Sequence, residues 1–354
     1  DSVSGAKVRA LSETISAYAL VAPPAFVGGL FKKLVQKMLA ATQEDEDGME
    51  EEEGGGKKKK SFSSPSNHKA VILCELALAL VPSLDAAGIA LLYKVIRPLV
   101  RLDRDVALQK RAYRVLGALC EHHGDRFLGQ ADTREDLVPV LTDSLLTCHV
   151  SARQMRLRVL GALVKTLDGN DPKQWDMLAG LVGEVLLCLK DANGKAREAA
   201  YQVLTAMAQV KEEEEDLSEF SQVVLAALAA ETPHMRSAAV LALAHLVFEF
   251  GPQRPAFRAT IPELLSTVLM LGADPVKEVV KAVVSFVRIC VAACPMEGLE
   301  PLLPSVLETL FASNSKVRFR AKIKIILKKL CRKFGYDKIL ALAPVTDRRL
   351  ITHI

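Results

Sequence analysis

The feature that most constrains this chain is a repeat. Four apolar stretches can be laid over one another by the basic residue near their start: AREAAYQVLTAMAQV at Arg197, MRSAAVLALAHLVFEFG at Arg236, VKEVVKAVVSFVRICVAACP at Lys277 and VRFRAKIKIILKKLCRKFG at Arg318. These anchors lie 39, 41 and 41 residues apart. Upstream, LQKRAYRVLGALCEHHG and QMRLRVLGALVKTLDG share the string RVLGAL at Arg114 and Arg158, 44 residues apart. A further apolar stretch of helical periodicity precedes each, so the unit is about 40 residues and two helices long. One such pair cannot bury its apolar face alone, and neighbours must stack.

The composition agrees. Half of the residues are apolar but only 5% are aromatic, with Ala, Leu and Val dominant. That suits closely packed helices better than stacked sheets. Punctuation fits too: Thr232-Pro233, Asp274-Pro275 and Asp171-Pro172 each place a capping residue and then proline at a helix start. Gly124, Gly169, Gly251 and Gly335 are expected at left-handed helix ends. The basic residues Arg156, Arg197, Arg236 and Lys277 are expected to bond an acid or carbonyls of an adjacent turn, with Asp191 and Asp274 at suitable spacing. The fold expected is all-α: a HEAT/armadillo-like α-solenoid of about six to seven antiparallel helix pairs over residues 1–354, read as a piece of a longer polypeptide.

At the N-terminal end, Lys7 to Val21 carries Val8, Leu11, Ile15 and Tyr18 on one helical face, and Ala25 to Ala41 forms a second helix after Pro23-Pro24. Residues 43–67 then combine acids from Glu44 to Glu53, a run of three glycines from Gly54, four lysines and a Ser/Pro tail. With almost nothing to bury, this segment is expected to be a disordered insertion between two helices. Lys57, Lys58, Lys59 and Lys60 read either as a targeting or nucleic-acid patch or as a solvated loop.

No reaction chemistry stands out. The seven cysteines form no CxxC pair and no zinc spacing with histidine, and most sit in apolar text, which points to a reducing compartment. Cys290 and Cys294, four apart, read as two buried thiols. GGGKKKKS at Gly54 lacks the spacing of a phosphate loop. Glu121-His122-His123-Gly124-Asp125 reads as histidines favoured by a helix terminus, His245 as a satisfied core or boundary residue, and Trp175 as a packing anchor. No membrane span or signal peptide is visible. An enzyme is not expected, nor a cofactor, a metal or a small-molecule substrate.

Charge is informative only by distribution, since the net value is +4. Between Lys316 and Lys333 there are nine Lys or Arg and no acid. On a helical wheel Phe319, Ile323, Ile326, Leu330 and Phe334 form the core stripe. Arg318, Lys322, Lys329 and Lys333 form a second stripe about 100° away, on a wheel of 3.6 residues per turn. Lys316, Lys324, Lys328 and Arg332 widen this face. Cations held together without acids favour a polyanion, and phosphate backbone is the obvious one. A solubilising face, or cover by acidic text elsewhere, explains the charge equally well. A weaker basic tract, Lys94 to Arg114, is diluted by Asp103 and Asp105.

The closing residues, KVRFRAKIKIILKKLCRKFGYDKILALAPVTDRRLITHI, resemble the end of the repeat region in the ribosomal RNA-processing protein twelve family. The likeness rests on the basic helix, on Lys333-Phe334-Gly335-Tyr336-Asp337, on Pro344, and on Asp347-Arg348-Arg349-Leu350-Ile351. It implies a non-enzymatic scaffold of small ribosomal subunit assembly in the nucleus and nucleolus. Its implied partners are pre-ribosomal proteins, pre-rRNA and the Ran GTPase, with possible shuttling to the cytoplasm in subunit export. An importin-type transport receptor, binding cargo or Ran on its inner surface, is the alternative. A regulatory scaffold of the phosphatase- or tubulin-binding kind would carry exposed Trp or Lys in successive turns, a series not found here.

Overall fold

The computed structural model describes residues 2–50, 65–210 and 216–352, and among them all regular structure is helical. The chain falls into two compact units, Asp1–Thr166 and Leu167–Ile354. The first holds α1 (Ser2–Val21), α2 (Pro24–Glu50), α3 (Pro65–Leu80), α4 (Ala86–Val100), α5 (Val106–Phe127), α6 (Ala131–Asp143) and α7 (Arg153–Val164). Here α2 packs on α3 and α4 on α5, while α3, α5 and α7 lie side by side as one layer. Lys57 to Lys60 lie outside the described residues. The helical backbone of α2 runs on to Glu50, into the segment expected to lack structure. Its packed part, anchored by buried Phe31, Val35 and Met38, supplies the nucleus, and Glu and Met propagate a helix at little cost.

The second unit holds α8 (Pro172–Cys188), α9 (Gly194–Ala208), α10 (Asp216–Ala226), α11 (Pro233–Phe250), α12 (Pro255–Leu269), α13 (Lys277–Ala293), the single turn α14 (Met296–Leu299), α15 (Leu303–Phe311) and α16 (Ser313–Phe334). Two short helices close it, α17 (Tyr336–Leu342) and α18 (Arg348–Thr352). The repeat stretches read from the sequence are α9, α11, α13 and α16, and each packs on the next to form a layer. The first helices α8, α10, α12 and α15 make the other layer. Pro255–Ala273, which includes α12, is long and apolar enough to cross a membrane by length and composition. Here its Phe257, Ile261, Leu264, Leu265 and Val268 are buried in the core.

Small residues allow the close approach of second helices. α11 buries Ala238, Ala239, Ala242 and Ala244 with Val240, Leu243, Leu246 and Val247, so nearly its whole circumference is covered. Neighbours on two sides and a first helix behind explain that pattern. In α13 the burial is one-sided: Val279, Val280, Val283, Phe286, Val287 and Cys290 face inward while Lys277, Lys281 and Arg288 stay exposed.

The caps follow the sequence in two of three cases. Thr232 Oγ1 accepts from the Met235 amide and Asp171 Oδ1 from the Lys173 amide, each with proline at the first helical position. Asp274 departs from this. It has two tasks: its Oδ1 accepts from the Val276 amide at 2.8 Å and its Oδ2 from Arg236 of the preceding second helix at 3.0 Å, and helix α13 starts only at Lys277. The glycine expectation is corrected in three of four positions. Only Gly335 has positive φ (91°). Gly251 ends α11 in right-handed geometry, Gly169 has no positive φ, and Gly124 lies inside α5, which bends at His123 and continues to Phe127. His123 sits at that bend, where the first stretch of helix ends, its Nε2 2.6 Å from the Val81 carbonyl oxygen.

The arginine ladder is real and has a recurring form. Arg197 donates to the carbonyls of Asp191 and Ala192, Arg236 to those of Ala230 and Glu231, and Arg134 to those of Leu128 and Gly129. In each case the partners lie six and five residues back, at the end of the preceding turn, where helix carbonyls would otherwise lack donors. Arg156 is the buried member, 1% exposed, donating to Tyr113 Oη (3.0 Å), Ser144 Oγ (2.9 Å) and the Leu141 carbonyl (2.6 Å). It ties α5, α6 and α7 together. Lys277 joins no such bond among the described residues.

Removing Arg156 empties a buried site and takes a charged donor from Tyr113, Ser144 and the Leu141 carbonyl, which keep only their weaker bonds to one another, whereas the Arg197 partners can turn to water. Arg156→Ala is expected to destabilise the fold by about 3 kcal/mol and Arg197→Ala by under about 1 kcal/mol. Urea unfolding followed by circular dichroism reads the difference; equal midpoints would contradict the assigned roles.

Candidate nucleic-acid interface

Helix α16 is placed by its apolar stripe. Phe319, Ile323, Ile326, Leu327 and Leu330 are buried, and Phe334 is half-buried. The backbone leaves helical geometry at Phe319 (φ −125°, ψ 24°), so the first turns are offset from the rest. With the core stripe held inward, the cations take the remaining faces. Arg318, Lys324, Lys328, Lys329 and Arg332 are exposed, and Lys322 and Lys333 half-buried. The side chain of Lys316 lies outside the described residues.

Three of these cations have a structural setting. Lys333 donates to the Val291 carbonyl at 3.2 Å and to that of Cys294, closing the end of α13. It therefore serves the fold first. Lys322 reaches across to α13, its Nζ 3.3 Å from Ser285 Oγ, which gives its own proton to the Lys281 carbonyl. Lys324, with Arg320, Arg349, Thr346 and Asp347, lines a groove of about 510 Å³ on the far side of α16. The predicted stripe is thus split between a face toward α13 and a face toward α18.

The face toward α13 is the crowded one. Burial of its stem pulls the Lys322 amine below its ordinary value, and repulsion from Lys281 and Arg288 pulls it further. Those α13 cations were not singled out from the sequence. The acid of α13, Glu278, points elsewhere and pairs with Lys190 at 2.8 Å. Among the described residues Lys281, Arg288, Arg318, Lys322 and Lys329 form no ion pair. Lys333 is also lowered, mainly by burial, with Arg258 adding to it and Cys294 and Glu297 opposing.

The weaker basic tract behaves differently. Arg97 pairs with Asp136 (2.9 Å) and Arg101 with Asp143 (2.8 Å), while Arg111 and Arg114 both pair with Glu75. Four of its cations are paired with acids of neighbouring helices. Other residues singled out for chemistry take structural places. His245 Nε2 lies 2.8 Å from Thr205 Oγ1 with its ring against Tyr201, and Trp175 meets Phe220 edge-on. Cys290 and Cys294 are both buried, with burial raising each thiol. No cluster of metal-ligating side chains occurs among the described residues.

The crowding predicts a pH signature. A lysine lowered in the folded state destabilises it while charged, fully so below its folded pKa, and the cost fades as pH rises through that value toward 10.5. Lys322→Met is therefore expected to raise the thermal midpoint at pH 7, with an advantage that shrinks toward pH 10.5. A variant less stable at pH 7 would contradict it.

Known proteins bear out the repeat reading. A family model described as "Stalled ribosome sensor GCN1-like, HEAT repeats" matches residues 137–333, more than half of the chain and all of α16 except its end. The chain is 29% identical over 305 residues to the Ribosomal RNA-processing protein 12 of Saccharomyces cerevisiae, covering 80% of this chain and 24% of that protein. It is 28% identical over 354 residues to the RRP12-like protein of Homo sapiens, covering 98% of this chain and 25% of that protein. The putative Ribosomal RNA-processing protein 12 of Schizosaccharomyces pombe matches at 28% over 302 residues, 82% of this chain and 25% of that protein. The chain spans about a quarter of the length of these curated relatives, and its resemblance to them runs through nearly all of its helix pairs. With its two-helix units, its arginine-capped turns and a family model over residues 137–333, the chain belongs to the GCN1-like HEAT-repeat family.

Proposed function

We propose that this chain is a scaffold segment in ribosomal RNA processing, acting by contact with RNA and protein rather than by catalysis. The observation that carries the reading is the unpaired basic surface of α16. Its exposed cations Arg318, Lys328, Lys329 and Arg332 stand on a helix fixed by a buried stripe and lack an acid in the helix itself. Holding them together costs repulsion that a polyanion relieves. Phosphate contacts of this kind give affinity and position without reading bases. The names of the curated relatives, ribosomal RNA-processing proteins, supply the biological setting.

In this reading the chain works in the nucleus and nucleolus, within pre-ribosomal particles of the small subunit. Ran binding, subunit export and shuttling are finer expectations that rest on the resemblance to that family.

The test is RNA binding by the whole chain, followed by anisotropy of a labelled single-stranded oligonucleotide. Arg318→Glu, Lys329→Glu and Arg332→Glu together, all exposed positions, are expected to weaken binding at least about tenfold at 0.1 M salt, since each lost contact carries counterion release. Unchanged affinity, or affinity indifferent to salt, would overturn the RNA reading.

A further inference from the structure

The repeat period holds a second message in its cations. Lys277 and Arg318, Lys281 and Lys322, and Arg288 and Lys329 are three pairs of basic residues, each 41 residues apart. That interval equals the repeat, so each pair occupies one column on adjacent second helices. The structure agrees, because α13 and α16 pack side by side and Lys322 touches Ser285, which lies between Lys281 and Arg288 in α13. Five of the six are exposed and Lys322 is half-buried. One repeat earlier the columns fall on Arg236, Val240 and Val247, and Arg236 is held by Asp274. The ladder of free cations therefore starts at α13.

Its dimensions follow from helix geometry. Residues four apart on one helix are separated by about 6 Å along the axis at about 1.5 Å per residue. Packed helices lie about 8–10 Å apart. Beyond the bend at Phe319, four cations, Lys281, Arg288, Lys322 and Lys329, thus sit on a grid of fixed spacing, with a hydroxyl among them and Glu278 turned away to Lys190.

Resting on the RNA reading above, we propose that RNA is held across two repeats, on the ladder of α13 and α16, and that Lys281, Ser285, Arg288 and Lys322 seat one of its phosphate groups. Lys322 now spends its proton on a neutral hydroxyl; a phosphate oxygen is a stronger, charged acceptor at the same place. The arriving charge also relieves the mutual repulsion of Lys281, Arg288 and Lys322. A regular grid of cations matches a polymer with one charge per unit. An acidic peptide, whose carboxylates stand on flexible side chains of irregular spacing, matches it less well. The face of α16 toward α18, with Arg320 and Lys324, is not part of this track.

The test compares two double variants of the whole chain. Lys281→Gln with Arg288→Gln removes cations from a helix outside the α16 surface, at exposed positions that form no ion pair. Arg320→Gln with Lys324→Gln removes the same charge from the opposite face of α16. Binding to a single-stranded RNA oligonucleotide is measured across salt concentrations. The α13 pair is expected to reduce the salt slope by up to about 0.7, the value of one lost phosphate contact, while the control pair leaves it unchanged. An unchanged slope in the α13 pair, with binding still lost in the α16 charge reversal, overturns the two-helix ladder and leaves the RNA reading standing. No salt-dependent RNA binding by the wild type overturns both, and polyglutamate displacing RNA at equal charge overturns the phosphate assignment. Independently of RNA, the Lys322 amine titration followed by NMR is expected to move upward in the α13 pair. A static titration shows that the cations do not converge and overturns the seat.

Discussion

Every unit of this chain depends on a helix being buried by the next copy of itself. A second helix such as α11 is apolar over most of its circumference and has no solvent-tolerant face large enough to stand alone. Stacking resolves this, at the cost of leaving polar turns pressed together along one edge. The arginines that donate five and six residues back answer that cost, because they supply donors to carbonyls at the end of a helix. Where the turn is deepest, as at Arg156, the guanidinium is wholly buried and its bonds join three helices. Where the turn is open, the same device is exposed.

This division of labour makes the leftover charge meaningful. In the first unit the basic residues of α4 and α5 meet Asp136, Asp143 and Glu75 on neighbouring helices. In the second unit Lys190 meets Glu278 and Arg236 meets Asp274. These pairs are partly exposed, and each contributes little to stability on its own. At α13 and α16 the pattern stops. Cations from two helices converge, Lys322 is depressed by burial and then by its neighbours, and the single acid of α13 is engaged elsewhere. Among the described residues α13 and α16 bring cations of two helices together without an acid between them, and that is the ground for proposing a binding surface there.

The architecture was legible because helical period and repeat period are both long-range regularities. The apolar stripe of α16 and the caps at Thr232 and Asp171 could be read residue by residue. Asp274 was legible only in part, since its bond to the Val276 amide is local but its second partner, Arg236, belongs to the preceding second helix. The glycines misled for a local reason. Gly251 and Gly124 sit where helices end or bend, but right-handed geometry continues through them, and only Gly335 takes the positive φ that glycine favours. The candidate site was half legible. Reading α16 as one helix found its cations but gave Lys333 to binding, when its first duty is to the carbonyls of α13. Lys281 and Arg288 escaped because α13 alone looks ordinary, and only alignment of successive repeats brings them into one column with Lys322 and Lys329.

The central claim is that RNA lies on the second helices α13 and α16. Photochemical cross-linking of the whole chain to single-stranded RNA, with the attached peptides mapped by mass spectrometry, tests it most directly. The account predicts cross-links concentrated between residues 277 and 333, on α13 and α16. Cross-links confined to the first unit, where the cations of α4 and α5 are already paired, would contradict it.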